Sequence, residues 1–413
     1  MTIPVVSGPQ ERNKERVLLH SPISRHSEAA GFRGDGAAFL GLSLFCGLAG
    51  GFLGLFAQRA GPFHSLSHGL LLDLFVLVPA FIGGMGRLVL PNELTPLPPA
   101  MIRFDRVAFL ALLLGAFAAV WGAHVPAAFI ASLALWCVGS ALLAVTTVIK
   151  CLECRDVRFR DLTPFAWSQL LASLGLIVVT PVLLAGLAHD VVAGRAALPT
   201  AQYWLGRAQV PVLALVVQLA LGAIANLVAF QSLRSRIVLP VLMAIASLGV
   251  SVVWAHGVTV PGLSDGWLLG VGVAVPSLAI MVMICASLWR RSFVMTYALS
   301  WSFPAMLLLS AGWVLGLFPT RPEAFHSAMM FGAVFALFGC YYKWQAAFPE
   351  IAAPSSLCRI HLVSMGIALL AMMPALPVLQ RIGEGGMTMS LICVAFLGMR
   401  LLMPMRQLAR ATR

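Results

Sequence analysis

The sequence predicts an all-α integral membrane protein with twelve transmembrane helices. Of its 413 residues, 60% are hydrophobic and only 10% are charged, whereas soluble domains average about 25% charged residues. The mean hydropathy is +0.94. An apolar run of about 20 residues crosses the ~30 Å hydrocarbon core of a bilayer. Such runs occur at 37–57, 66–90, 105–123, 127–149, 165–188, 208–230, 237–256, 267–288, 296–318, 324–346, 359–380 and 387–405.

The distribution of charge orients these helices, because Lys and Arg in short loops are retained on the cytoplasmic side. With a cytoplasmic N-terminus, all but five of the 27 basic residues fall on that side; the exceptions are Arg59, Arg195, Arg207, Arg321 and Arg381. We therefore expect both termini in the cytoplasm. The membrane itself is expected to be a bacterial inner membrane. Topology explains the net charge of +12, so the lipid bilayer is the expected partner and a nucleic acid is not.

The chain is expected to form one membrane domain with polar ends. Residues 1–35 have no apolar period and are predicted to be a mobile basic cytoplasmic tail without the early apolar core of a cleaved signal peptide. Residues 36–405 form the single membrane domain, and 406–413 a short basic cytoplasmic end. In the first helix, small residues predict close helix packing: Gly47, Gly50, Gly51 and Gly54.

Two histidines lie near the outer ends of their predicted helices, His68 on the second and His326 on the tenth. Topology places them at a similar depth. Two neutral imidazoles from different helices are able to hold a haem iron from both faces, which leaves no open coordination position and suits electron transfer. The alternative is that each imidazole hydrogen-bonds a neighbouring carbonyl or serine.

Asp73 is a carboxylate inside the second predicted helix. Such a residue costs roughly 2.5–3.5 kcal/mol on insertion scales and usually faces a partner or a cavity. It follows His68 by five residues and so points ~140° away on an ideal helix, which argues against direct contact with that imidazole. It is expected either to be a neutral acid bonded to another helix or to serve as a proton relay or cation contact.

Several motifs resemble the catalytic subunit of the haem-copper oxidases, cytochrome c oxidase subunit I. The second helix resembles that of the family through Ser67-His68-Gly69 and Pro79-Ala80-Phe81-Ile82-Gly83-Gly84-Met85-Gly86. The seventh helix does so through Val253-Trp254-Ala255-His256, and the tenth through Phe325-His326 with Gly332-Ala333-Val334-Phe335. Arg359-Ile360-His361 opens a segment like the eleventh. The resemblance implies the family's twelve-helix bundle and makes His68 and His326 the axial ligands of its low-spin haem.

Other positions depart from the family pattern. Ala324 stands where the family has the axial histidine of its second, high-spin haem. Of the three copper-binding histidines, Arg207 and Gly257 replace two, and His256 remains as a hydrogen-bonded relic of the copper site. Asp73 occupies an apolar position of the family. The resemblance therefore implies one haem, of unknown type, and no copper, so oxygen reduction is not expected and no catalytic residue is assigned.

The family's paired arginines for the haem propionates have no evident match. Arg59, Arg207 and Arg381 are the candidates to take their place. Arg381 is expected in a short outer loop between Gln380 and Met387. Arg207 has two interpretations, since it either extends to the membrane interface or faces His256 or a propionate.

The sequence thus favours a haem-binding protein of the subunit I type, with one bis-histidine haem for electron transfer in a respiratory chain. Other respiratory-complex subunits or a cytochrome electron donor would be its partners. Three alternatives stay open: an active or atypical terminal oxidase, a haem-free transporter, and a haem-free scaffold or assembly protein. A transporter should show internal repeats and broken helices, and no repeat at half-length is evident.

Overall fold

The computed structural model describes residues 28–60, 62–90, 94, 99–122, 125–155, 157–195, 197–228, 235–259, 268–289, 295–316, 322–346, 352–372 and 377–411. In these segments the chain is helical, apart from turns and an isolated β-bridge between Leu94 and Arg155. The long helices are α1 (Glu28–Ala60), α2 (62–89), α3 (Pro99–Trp121), α4 (Pro126–Glu153), α5 (Pro164–Val192), α6 (Leu198–Leu227), α7 (235–259), α8 (268–288), α9 (Tyr297–Gly316), α10 (Pro322–Gln345), α11 (355–372) and α12 (Pro377–Ala411).

Eleven of these helices are long and apolar enough to cross a membrane, and the described part of α11 is the exception. The twelve-span count therefore remains a prediction for that helix, as does the orientation of the termini. α1 begins inside the predicted tail, at Glu28, while residues 1–27 lie outside the described part of the chain. The predicted basic end is helical as far as Ala411.

The predicted outer loop between Gln380 and Met387 is wrong, because α12 already begins at Pro377 and Arg381 lies in its first turns. Close packing against α11 accounts for this helical start. At Gly386 an ideal Cβ would lie 2.7 Å from the backbone nitrogen of Ala368. Only glycine fits so close an approach, so Gly386 permits a helix–helix contact within the segment that was predicted to be a loop.

α2 contains two π-helical turns, Leu71–Val76 and Pro79–Met85. The wider turns change the backbone hydrogen-bond pattern. Side chains from two other helices donate hydrogen bonds to backbone carbonyls within these turns. Trp136 Nε1 of α4 donates to the Leu74 carbonyl at 2.9 Å, and Gln169 Nε2 of α5 donates to the Phe81 carbonyl at 3.1 Å. Because π-turns occur frequently at functional sites, the two turns make α2 a candidate, although α7 and α8 each contain one as well, at Ile245–Gly249 and Leu268–Ala274.

The glycines of α1 are packed as predicted. An ideal Cβ at Gly50 would lie 2.8 Å from the Leu72 side chain, and one at Gly51 would lie 2.6 Å from Leu391. α1 therefore approaches α2 and α12 more closely than a larger residue would permit. This close approach forms one wall of the candidate site.

A buried ionic network joins the ends of α2, α3 and α4 at Arg87, Asp105, Thr146, Thr147 and Lys150. Arg87 donates through Nε and Nη2 to the two Asp105 carboxylate oxygens, each at 2.8 Å. Its Nη1 and Nη2 also donate to the Thr147 and Thr146 hydroxyls, at 2.9 and 2.6 Å. Lys150 is buried one turn beyond Thr146. The Arg87–Asp105 pair is bidentate, the strongest geometry for such an ion pair.

Candidate functional site

An apolar cavity of about 260 Å³ lies between α1, α2, α10, α11 and α12. On α2, its lining residues recur at every fourth position: His68, Leu72, Val76 and Ala80. The α10 side consists of Phe331, Val334, Leu337, Phe338 and Tyr341. This volume is below the ~300 Å³ at which small-molecule pockets usually begin. Its apolar walls with few polar groups are typical of a cofactor site.

His68 is the imidazole in this lining. Its Nδ1 lies 2.7 Å from the backbone carbonyl oxygen of Gly50 on α1. A carbonyl only accepts hydrogen bonds, so Nδ1 carries the proton, and Nε2 of the neutral ring keeps its lone pair. This arrangement, with one ring nitrogen donating to a carbonyl, is the usual outer-shell support of a metal-binding histidine.

Gly54 permits this position of the ring. An ideal Cβ at residue 54 would lie 2.6 Å from both Nδ1 and Cε1 of His68, closer than real atoms pack. Both glycines therefore position the His68 imidazole. Gly50 supplies the carbonyl that accepts its hydrogen bond, and Gly54 leaves the space that the ring occupies.

We expect Gly54→Ala to displace the His68 ring and break its bond to Gly50. Loss of such a bond costs roughly 1–3 kcal/mol when the acceptor stays buried, so the affinity for haem should fall about tenfold or more. Haem titration of the haem-free protein, followed in the Soret region, measures this change. Gly41→Ala is the matched control on the same helix, because nothing lies within 4 Å of a Cβ at Gly41. Equal affinities for the two variants would contradict the role assigned to Gly54.

The opposite end of the cavity carries hydroxyl groups. Ser390 of α12 lines the cavity, and its Oγ lies 3.1 Å from Nε2 of the fully buried His361. The Tyr342 hydroxyl lies 2.8 Å from the other ring nitrogen, Nδ1. Tyr341, which also lines the cavity, has a buried hydroxyl with no hydrogen-bond partner. A bound molecule with a polar substituent would satisfy it, since buried polar groups are normally paired.

A second polar cluster, the Asp73 cluster (Asp73, Gln209 and His326), joins α2, α6 and α10. Gln209 Nε2 donates to Asp73 Oδ2 at 2.6 Å, and His326 Nε2 lies 3.3 Å from Asp73 Oδ1. Asp73 is buried, while the His326 side chain is 31% exposed. The second proposed axial ligand is thus bonded to the carboxylate within α2 and does not line the cavity with His68.

His326 is nevertheless close to the cavity face of α10. It precedes Val334 by eight residues, which places it ~80° around an ideal helix from that lining residue. His68 lines the cavity as the chain stands, whereas His326 is bonded to Asp73 and would have to leave it to join that lining.

The remaining predicted residues are separate from the cavity lining. Arg207 is half-buried on α6, two residues before Gln209, and His256 is exposed on α7. Arg381 is exposed on α12, and the side chain of Arg59 lies outside the described part of the chain. Within the described residues, no group of three or more His, Cys, Asp or Glu side chains is placed to hold a metal ion.

The alternative that an imidazole hydrogen-bonds a neighbouring carbonyl describes His68 and Gly50, whereas sequence reasoning missed the Asp73–His326 contact. Helix periodicity argued against a contact between Asp73 and His68, and Asp73 bonds Gln209 and His326 instead, partners that periodicity did not identify. The π-turn at Leu71–Val76 contains Asp73, so the ideal angles used for an α-helix do not apply there. The glycine pair at 50 and 54 was a usable signal, although it predicts only close packing.

Comparison with known proteins agrees with the motif resemblance. The chain is 23% identical over 339 residues to cytochrome c oxidase subunit 1 of Cereibacter sphaeroides. The aligned part is 67% of this chain and 60% of that protein's length. No family model matches the chain. The similarity therefore points to a distant relationship with a haem-copper oxidase subunit, in a membrane protein of eleven or more spans.

Proposed function

We propose that the chain is a haem-binding membrane protein of the subunit I type, which holds one low-spin haem for electron transfer and does not reduce oxygen. The observation that carries this proposal is the state of His68. Its Nδ1–H is engaged by Gly50, so Nε2 retains a lone pair in the wall of an apolar cavity. The distant similarity to cytochrome c oxidase subunit 1 supports the same reading.

A haem bound here supplies one-electron chemistry at its iron. His68 and His326 would hold the iron, and Arg207 and Arg381 are candidates for the propionates. The Gly50 carbonyl fixes the orientation of His68 and increases its basicity as a ligand. The apolar side chains from α2 and α10 exclude water, which limits solvent access to the site. Two imidazoles in addition to the porphyrin nitrogens would leave the iron no open position, which would suit electron transfer.

The side chains at the positions of the second centre do not support oxygen reduction. Ala324 and Gly257 have no side-chain atom that could bind a metal, and a guanidinium such as that of Arg207 is a hydrogen-bond donor with no lone pair to offer. His256, the remaining imidazole of that set, is exposed on α7. A copper ion needs several strong ligands, so these residues favour a protein without copper.

Oxygen uptake in the presence of an artificial electron donor tests the proposal. The purified protein, expressed with haem supplied, should show a Soret band that shifts reversibly when dithionite reduces the haem. Its oxygen uptake should stay at the rate of the artificial donor alone. Sustained, cyanide-sensitive oxygen uptake would instead identify a terminal oxidase. A protein that folds and lacks a Soret band would favour the haem-free transporter or scaffold.

A further inference from the structure

We propose that Asp73, oriented by Gln209, is a positioning residue that competes with the haem iron for His326. This inference rests on the proposed haem function and refines it, because it makes His326 the displaceable ligand and His68 the permanent one. In the haem-copper oxidase pattern that the motifs resemble, an apolar residue stands at the position of Asp73, so the competition would be particular to this chain.

The contacts of the two histidines differ in the atom that they use. His68 engages its neighbour through Nδ1, which leaves Nε2 for a ligand. His326 engages Asp73 through Nε2. Whether His326 donates a proton to the carboxylate or accepts one from the acid, Nε2 is occupied by that bond. The bond to Asp73 and a bond from the same nitrogen to iron therefore exclude each other.

Geometry shows how firmly each contact is held. Gln209 lies 2.6 Å from Asp73 Oδ2, and this short bond fixes the carboxylate in place. His326 lies at 3.3 Å from Oδ1, longer than the 2.7–2.9 Å typical of a charge-assisted bond. The carboxylate is thus held by α6, while its bond to the half-buried imidazole of α10 is weak enough to exchange. His326 is then shared between two partners, and a fraction of the haem remains without its second imidazole.

The spin state of the ferric haem reports this sharing. In the wild type, we expect a measurable high-spin fraction beside the low-spin form. Asp73→Leu removes the competing acceptor, so the ratio of low-spin to high-spin haem should rise about tenfold, the factor associated with loss of one such hydrogen bond. Asp73→Asn keeps a hydrogen-bonding amide between Gln209 and His326 and should resemble the wild type. Electron paramagnetic resonance and visible absorption of the purified proteins measure the ratio.

A double-mutant cycle separates competition from a structural effect. In a His326→Ala background, Asp73→Leu should change nothing, because the competed ligand is gone. A spin ratio that is identical in wild type and Asp73→Leu, or a change that persists without His326, would overturn the inference while leaving haem binding intact. Gel filtration of each variant confirms that it folds. A missing Soret band in the wild type would instead contradict the haem function itself.

Discussion

His68→Ala is expected to abolish haem binding. The imidazole is the cavity-lining ligand whose free nitrogen is already available, and no other imidazole lines that cavity among the described residues. Loss of an outer-shell partner typically costs 10–100-fold in metal affinity, so loss of the ligand itself should cost roughly 100-fold or more. Haem content after purification, expressed per mole of protein, measures the effect.

His256→Ala is the matched control for this experiment, because that imidazole is exposed on α7. It should leave the haem content unchanged. His326→Ala should retain haem in part and lose low-spin signal, since His68 still holds the iron. Equal haem loss in the His68 and His326 variants would contradict the unequal roles that the structure indicates. Haem retention in His68→Ala would contradict the assignment of the cavity.

Asp105→Ala is expected to destabilise the fold most. It removes the bidentate partner of Arg87, whose side chain is only 5% exposed, and leaves a guanidinium beside the buried Lys150. Breaking a buried ion pair from one side costs about 3–5 kcal/mol. The free energy of unfolding in mixed detergent micelles measures the loss.

Replacement of both partners provides the sharper test. Arg87→Met combined with Asp105→Leu should recover most of the stability, because apolar substitution of a whole buried pair is often neutral or better. Asp161→Ala serves as the surface control. Its pair with Arg160 is long, at 4.0 Å, and the side chains of Arg160 and Asp161 are 69% and 34% exposed, so at most about 1 kcal/mol is expected from the pair. A double variant as unstable as Asp105→Ala would contradict the account of the network.

The membrane-spanning helices were predictable because hydropathy directly reports the length of apolar segments. The span predicted at 66–90 corresponds to Leu66–Val89, and the one at 127–149 to Ala127–Glu153. The start of α12 was not predictable in this way. Its first turns, from Gln380 to Gly386, are polar and glycine-rich, and they are helical through packing against α11, a contact between segments that hydropathy does not detect.

The sequence identified which residues belong to the candidate site, but not which of these residues contact each other. Motif and depth identified His68 and His326 together, whereas the structure places them in different polar environments. Asp73 was recognised as a costly intramembrane acid, but the π-turn that contains it alters the register on which its direction depends. The contacts among Asp73, Gln209 and His326 form only when α2, α6 and α10 pack together. The residue pattern of any one of these helices does not predict them.

Haem stoichiometry tests the central claim most directly. The pyridine haemochrome of the purified wild-type protein, divided by its protein concentration from amino-acid analysis, should give a value near one haem per chain. The reduced spectrum identifies the haem type. A value near zero in folded protein would contradict haem binding, and a value near two would contradict the loss of the second haem site.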